Sequence, residues 1–215
     1  MSKTTSFTLT AIVLSNMPVG ENDRRVVVLS KERGKQSFFA KGARKQGSAF
    51  MGSTLPFCFG EFTCVSGRSA NTLTAVNLLE SFTSLRNDIN AVLFAQYFLE
   101  IADYYSREEN DDTELLKLVF QSLRALGAPQ FSKELVRSIF EIKATAVTGE
   151  GIDIKKIKAP LKPATVQAIE FILHSPVGKL YTFSVSEEVL SELSEAAKRH
   201  LEYVLDRPMK SAKML

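Results

Sequence analysis

The apolar residues of this chain change period once, near residue 80, and that change limits what the chain can fold into. Phe7, Leu9, Ala11 and Val13 recur every second residue, the spacing of a half-buried strand. Arg24 to Ser30 holds Val26, Val27, Val28 and Leu29, all strand formers. Gly34 interrupts, and Lys35 to Lys41 reads as a third strand with Phe38 and Phe39 on opposite faces. Pro18-Val19-Gly20 and Asn22-Asp23 mark the first turn, and Gly42 to Gly52 reads as a loop. Pro56 to Ser66 and Leu73 to Leu79 supply a fourth and a fifth strand. From Leu85 onward the spacing becomes helical: Leu85, Ile89, Leu93, Tyr97, Ile101 and Tyr104 form one stripe. Asp111 with Glu114 has the form of a capping box opening a second helix that ends at Gly127. Further helices are expected around Phe131 to Ile142, over Thr165 to His174, and from Ser186 to Leu205. The expected fold class is therefore α+β in two domains. A five-stranded oligonucleotide-binding (OB-fold) β-barrel spans 1–80, and an all-α helical bundle spans 81–215.

Charge follows the same division. Residues 1–80 carry ten Lys/Arg against five Asp/Glu, and residues 81–215 carry seventeen against nineteen, within a chain of formal charge +3. The excess sits in Arg24 to Gly47, which holds Arg24, Arg25, Lys31, Arg33, Lys35, Lys41, Arg44 and Lys45 against one acid, Glu32. A run of charge alone describes a solvated face. Here the cations fall on two adjacent strands and the loop after them, acids are nearly absent, and phenylalanines share the strands. Phosphates call for Lys and Arg, and the bases of a single strand call for a flat group to stack on. A strand must bury one face, so Phe39 is the one of the pair assigned to the outer surface. If six to eight of these cations each touch a phosphate, log K should fall with log salt at a slope of about −5 to −7. No helix rich in Asn and Gln points to base-specific reading.

Chemistry is poorly represented. His174 and His200 have no Cys or paired acid near them in sequence, and neither a phosphate-binding P-loop nor a dinucleotide-binding glycine motif occurs. The acids Glu108, Glu109, Asp111, Asp112 and Glu114 read as a solvated turn before a helix. Cys58 and Cys64 are the only cysteines, which argues against a zinc site or a disulfide framework. The expectation is a protein that is not an enzyme and has no cofactor and no metal. The opening MSKTTSFTLTAIVLSN alternates like a strand and does not read as a signal peptide, and no apolar run reaches the length of a membrane span. A cytoplasmic, nucleoid-associated protein with no membrane partner is expected.

Several of these segments together resemble the RecO recombination mediators: Ala11-Ile12-Val13-Leu14, Gly20-Glu21-Asn22-Asp23-Arg24, and Lys35 through Lys41-Gly42-Ala43-Arg44. The likeness continues at Leu79-Glu80-Ser81-Phe82, at Leu85-Arg86, and from Leu201 to Lys210-Ser211. It implies an OB-fold barrel followed by a helical domain. It also implies binding of single- and double-stranded DNA, annealing of complementary strands, and work with RecR, with single-stranded-DNA-binding protein (SSB) and, indirectly, with RecA in the RecF pathway. The DNA role carries over to Arg24, Arg25, Lys35, Lys41, Arg44 and Lys45. Many members carry a four-cysteine zinc module after the third helix. Here Val147 to Pro160 contains no cysteine, and a short Gly-Glu-Gly connection stands in its place. A pocket for an acidic, apolar partner tail would need a cation at its rim, which Arg124 or Arg137 could supply. Two other readings remain open: an OB-fold RNA-binding protein, and a helical protein-interaction scaffold with an incidental basic strip.

Overall fold

The structure, a computed structural model, describes residues 5–157 and 160–215. The expected opening at Met1–Thr4 and the Lys158-Ala159 part of the expected connection lie outside the described residues. Two compact units emerge: residues up to Thr83 with Ala102–Leu116, and Ser84–Ile101 with Lys117–Leu215.

In the first unit, β1 (Ser6–Val19), β2 (Asp23–Ser30), β3 (Gly34–Ala40), β4 (Phe59–Val65) and β5 (Asn71–Glu80) close into a barrel. The order around it is β1-β2-β3-β5-β4, with β3 parallel to β5 and every other pair antiparallel. This is the OB-like five-stranded barrel expected from the sequence. The inward residues are the alternating ones: Leu9, Ala11 and Val13 of β1, Val26 and Val28 of β2, Phe38 of β3 and Phe62 of β4 form one buried cluster, with Phe7 packed against it. The Phe38 and Phe62 ring centroids lie 5.8 Å apart. Cys58 and Cys64 are buried in this core without a disulfide, and burial pushes the Cys64 thiol up to about 12, so it is inert at neutral pH.

Strand boundaries differ from the pattern where backbone geometry overrides it. β1 runs on from the alternating stretch to Val19, into the expected turn, because a bulge between Val13 and Ser15 resets its register against β2. Gly20, at φ +55°, then turns the hairpin. β4 starts three residues later than Pro56, since Phe57 takes φ +74° and leaves the extended region. The expected loop after β3 ends in a single helical turn, α1 (Phe50–Ser53).

The helices are α2 (Thr83–Arg86), α3 (Ile89–Tyr105), α4 (Thr113–Leu126), α5 (Lys133–Val147), α6 (Pro163–His174) and α7 (Glu187–Val204). The single stripe expected from Leu85 is broken at Asp88, whose carboxylate accepts the Ala91 N–H at 3.1 Å and starts α3 afresh. Ile89 therefore falls out of phase and is 73% exposed, while Leu85 is buried. α4 opens one turn position later than the capping-box spacing suggests, with the Asp112 carbonyl accepting the first intrahelical bond from Leu116. Ser132 and Ser186 cap α5 and α7, accepting from Leu135 and Val189. In the second unit Phe98 stacks on Phe140 with centroids 4.1 Å apart. No described helix is long and apolar enough to cross a membrane.

Candidate nucleic-acid interface

On a barrel strand, neighbouring side chains face opposite sides, and this sorts the basic strip. Arg24 shares the inward face of Val26 and Val28, at the barrel end where β2 begins. Its Nη1 donates to the Met51 carbonyl at 2.7 Å and to Thr54 Oγ1 at 2.9 Å, so it ties the α1 turn across that end. Arg33 covers the other end, its guanidinium carbon 4.6 Å from the Phe7 ring centroid. Lys35 Nζ lies 2.7 Å from Asp103 Oδ1 and also donates to the Asp103 carbonyl at 2.8 Å. These three cations are engaged within the fold.

Arg25, Lys41, Arg44 and Lys45 remain at the end where β2 begins and β3 leaves. All four are exposed, and Arg25, Lys41 and Lys45 have no ion-pair partner among the described residues. Arg44 is steered by two bonds, its backbone N–H to the Asn22 carbonyl at 2.9 Å and its Nη1 to the Gly20 carbonyl at 3.2 Å. The Gly42 N–H is held by Asp23 Oδ1 at 2.7 Å, which fixes the start of the Lys41–Lys45 loop. Lys31 is exposed too, but it sits in the β2–β3 turn, about 20 Å away along the strand.

Phe38 points into the core and Phe39 outward, half-buried. The register places Met17, Arg25, Phe39 and Thr72 side by side on one outer row across β1, β2, β3 and β5. A flat ring beside an unpaired guanidinium, flanked by three loop cations, is the combination that a single strand's bases and phosphates require. The rest of the barrel wall is different: β1, β4 and β5 contain no Lys or Arg. One exposed cation outside the strip, Arg68 in the β4–β5 turn, escaped the sequence reading. Its only signal was its place in a turn between two expected strands.

In the second unit the two candidate partner-binding arginines separate. Arg124 is exposed on α4 with no ion-pair partner among the described residues. Arg137 is tied down: its Nε donates to Glu141 Oε1 at 2.7 Å, the Tyr97 hydroxyl donates to the same oxygen at 2.6 Å, and the guanidinium lies 5.1 Å from the Tyr97 ring centroid. Burial holds the Glu141 carboxyl above its ordinary range, with Arg137 and Tyr97 pulling the other way. Burial works against the Arg137 charge, but the Glu141 carboxylate more than offsets it. Tyr97 and Arg137 of this trio line a groove of about 690 Å³, together with Leu201, Leu205 and Met209, the cations Lys198, Arg207 and Lys213, and the acids Glu202 and Asp206. Arg124 does not line it. Among the described residues, no three His, Cys, Asp or Glu side chains gather as a metal ion would need.

A five-stranded OB-like barrel with a one-sided cationic surface, followed by helices, defines a two-part protein of the OB class. The sequence matches the family described as Recombination protein O, its N-terminal part over residues 1–82 and its C-terminal part over residues 86–157 and 155–213. The chain belongs to that family, whose members are DNA repair proteins. It is 26% identical to the DNA repair protein RecO of Acetivibrio thermocellus, over 91% of this chain and 90% of that protein. It is 33% identical to that of Clostridium novyi over 70% of this chain and 59% of that protein. It is 26% identical to that of Desulforamulus reducens over 97% and 93% respectively.

Proposed function

We propose that the protein binds DNA, single- and double-stranded, at the Arg25–Lys45 end of the β2–β3 face and anneals complementary strands there without acting as an enzyme. The observation that carries this reading is the cluster of four exposed cations, Arg25, Lys41, Arg44 and Lys45, beside the outward Phe39 on a barrel whose other three strands have no cation. Annealing breaks no covalent bond. It requires phosphate repulsion to be screened while base edges stay free, and a shallow cationic surface with one stacking ring does both. Division of labour, in this reading, follows the two compact units: the barrel's unit holds nucleic acid, and the unit of Ser84–Ile101 with Lys117–Leu215 holds partner proteins.

Those partners, in this reading, are RecR and single-stranded-DNA-binding protein, through which the protein assists RecA loading in the cytoplasm and at the nucleoid. The groove lined by Arg137 suits an acidic, apolar tail such as the second partner would offer: Leu201, Leu205 and Met209 give it apolar surface, and its cations Arg137, Lys198, Arg207 and Lys213 outnumber its acids Glu202 and Asp206.

Salt titration of single-stranded DNA binding tests the reading. Four phosphate contacts at about 0.7 each predict a log K against log salt slope of about −3. A slope near zero assigns the cations to mere solubility and favours the protein-only scaffold. Competition between DNA and RNA of one sequence separates the RNA-binding reading, since a preference for RNA requires contacts to the 2′-hydroxyl.

A further inference from the structure

The acids between α3 and α4 lie in the same unit as the barrel and on its β2–β3 turn. The contact is built, not incidental. Lys35 N–H donates to the Arg107 carbonyl at 2.9 Å, and Glu109 N–H donates to the Arg33 carbonyl at 3.0 Å. Gly34, at φ +59°, lies so close beneath this segment that a Cβ there would stand 2.3 Å from the Arg107 carbonyl oxygen and 2.8 Å from that of Asn110. Thr113 Oγ1 reaches the Lys31 carbonyl at 3.4 Å. Asp103 takes the Lys35 ammonium, and Glu108, Glu109, Asp111 and Glu114 of the same segment are exposed.

The two ends of the β2–β3 face therefore differ in sign. Residues 31–35 with 103–114 hold four cations and seven acids, a net −3. Residues 21–25 with 41–45 hold five cations and two acids, a net +3. Unlike a stray acidic cluster, the segment is bonded onto the one turn where the basic strip would otherwise continue.

We propose that this acidic segment terminates the DNA path on the barrel, cancelling Lys31, Arg33 and Lys35 as phosphate contacts and confining a bound strand to the opposite end. The inference rests on the DNA-binding reading above. A strand running along β2 meets attraction first and repulsion about 20 Å later. The site is thereby short, and a longer strand is turned off the barrel before the turn. For annealing this has a use: a strand held over a short span leaves its neighbouring bases free for a complement.

The test uses the full chain, with Asp103→Asn, Glu108→Gln and Glu114→Gln combined, and an oligo(dT) length series of about 4 to 16 nucleotides. The Lys35 bond to the Asp103 carbonyl survives these changes. The expected result is a salt slope steeper by about one and affinity that keeps rising to longer oligonucleotides than in the native protein. Unchanged slope and unchanged length dependence in a folded variant overturn the inference. A second variant needs no acid removed: Lys31→Ala in the native background should leave affinity within about twofold, and a tenfold loss also overturns it. Failure of the native protein to show salt-dependent binding defeats the DNA-binding reading itself, a different outcome from equal slopes in native and variant proteins.

Discussion

Charge reversal at Lys41→Glu, Arg44→Glu and Lys45→Glu together should weaken single-stranded DNA binding at least 100-fold and abolish strand annealing, while the thermal midpoint stays near that of the native protein. The expectation follows from geometry. All three side chains are exposed on a loop whose backbone is fixed by bonds the substitutions leave intact, the Gly42 N–H to Asp23 and the Arg44 N–H to Asn22. Three of four proposed contacts are lost and three repulsions gained, which exceeds the two decades, about 2.8 kcal/mol at 1.4 kcal/mol per decade, that a 100-fold loss represents. Annealing at the native rate in this folded variant would remove the loop from the site. Lys35 is a poor choice for such a test, because its reversal would face Asp103 and disturb the fold.

Arg137→Ala should be the most damaging single change in the helical unit, costing about 3–5 kcal/mol in chemical denaturation. Glu141 is 2% exposed, and loss of the guanidinium leaves its charge with the Tyr97 hydroxyl alone. The sign of the pH dependence follows. Burial already raises the folded-state value of Glu141, and removing Arg137 raises it further. A carboxyl raised on folding favours the native state below its unfolded value, about 4.3, and that advantage is lost as pH rises through the folded value. The deficit of the variant against the native protein should therefore shrink toward acidic pH and be largest at neutral pH. A pH-independent deficit would place the cost in lost packing of the Arg137 stem instead. Lys198→Ala with Lys213→Ala is the better probe of partner docking, since neither ammonium is tied to that buried trio.

The barrel was legible because its signal is local. Phe7, Leu9, Ala11 and Val13 alternate over a stretch that pairs without interruption, and the serines at 132 and 186 cap helices by bonds to residues three positions away. Local signals also misled. The bulge after Val13 hides the second half of β1, and a single carboxylate at Asp88 resets the helical phase so that Ile89 leaves the core. In the candidate site, strand alternation separates Phe38 from Phe39 and equally separates Arg24 from Arg25. What alternation does not reveal is where the inward arginine ends up. The partners of Arg24 are 27 and 30 residues away, and that of Lys35 is 68 residues away. A linear count of basic residues thus overstates the surface: cations that hold the fold together look the same in sequence as those left for a ligand.

The barrel closes through only two residue pairs between β3 and β5, Phe38 with Asn71 and Phe39 with Thr72, whereas each other neighbouring pair of strands matches seven or eight. That junction is where the cylinder opens first, and the amides of Phe39 and Thr72 should exchange with solvent ahead of those in β1 and β2. One side of the opening carries the proposed stacking ring. A nucleotide laid on Phe39 bridges the gap like a clasp, so occupancy should slow exchange across the junction and leave the far wall of the barrel unchanged.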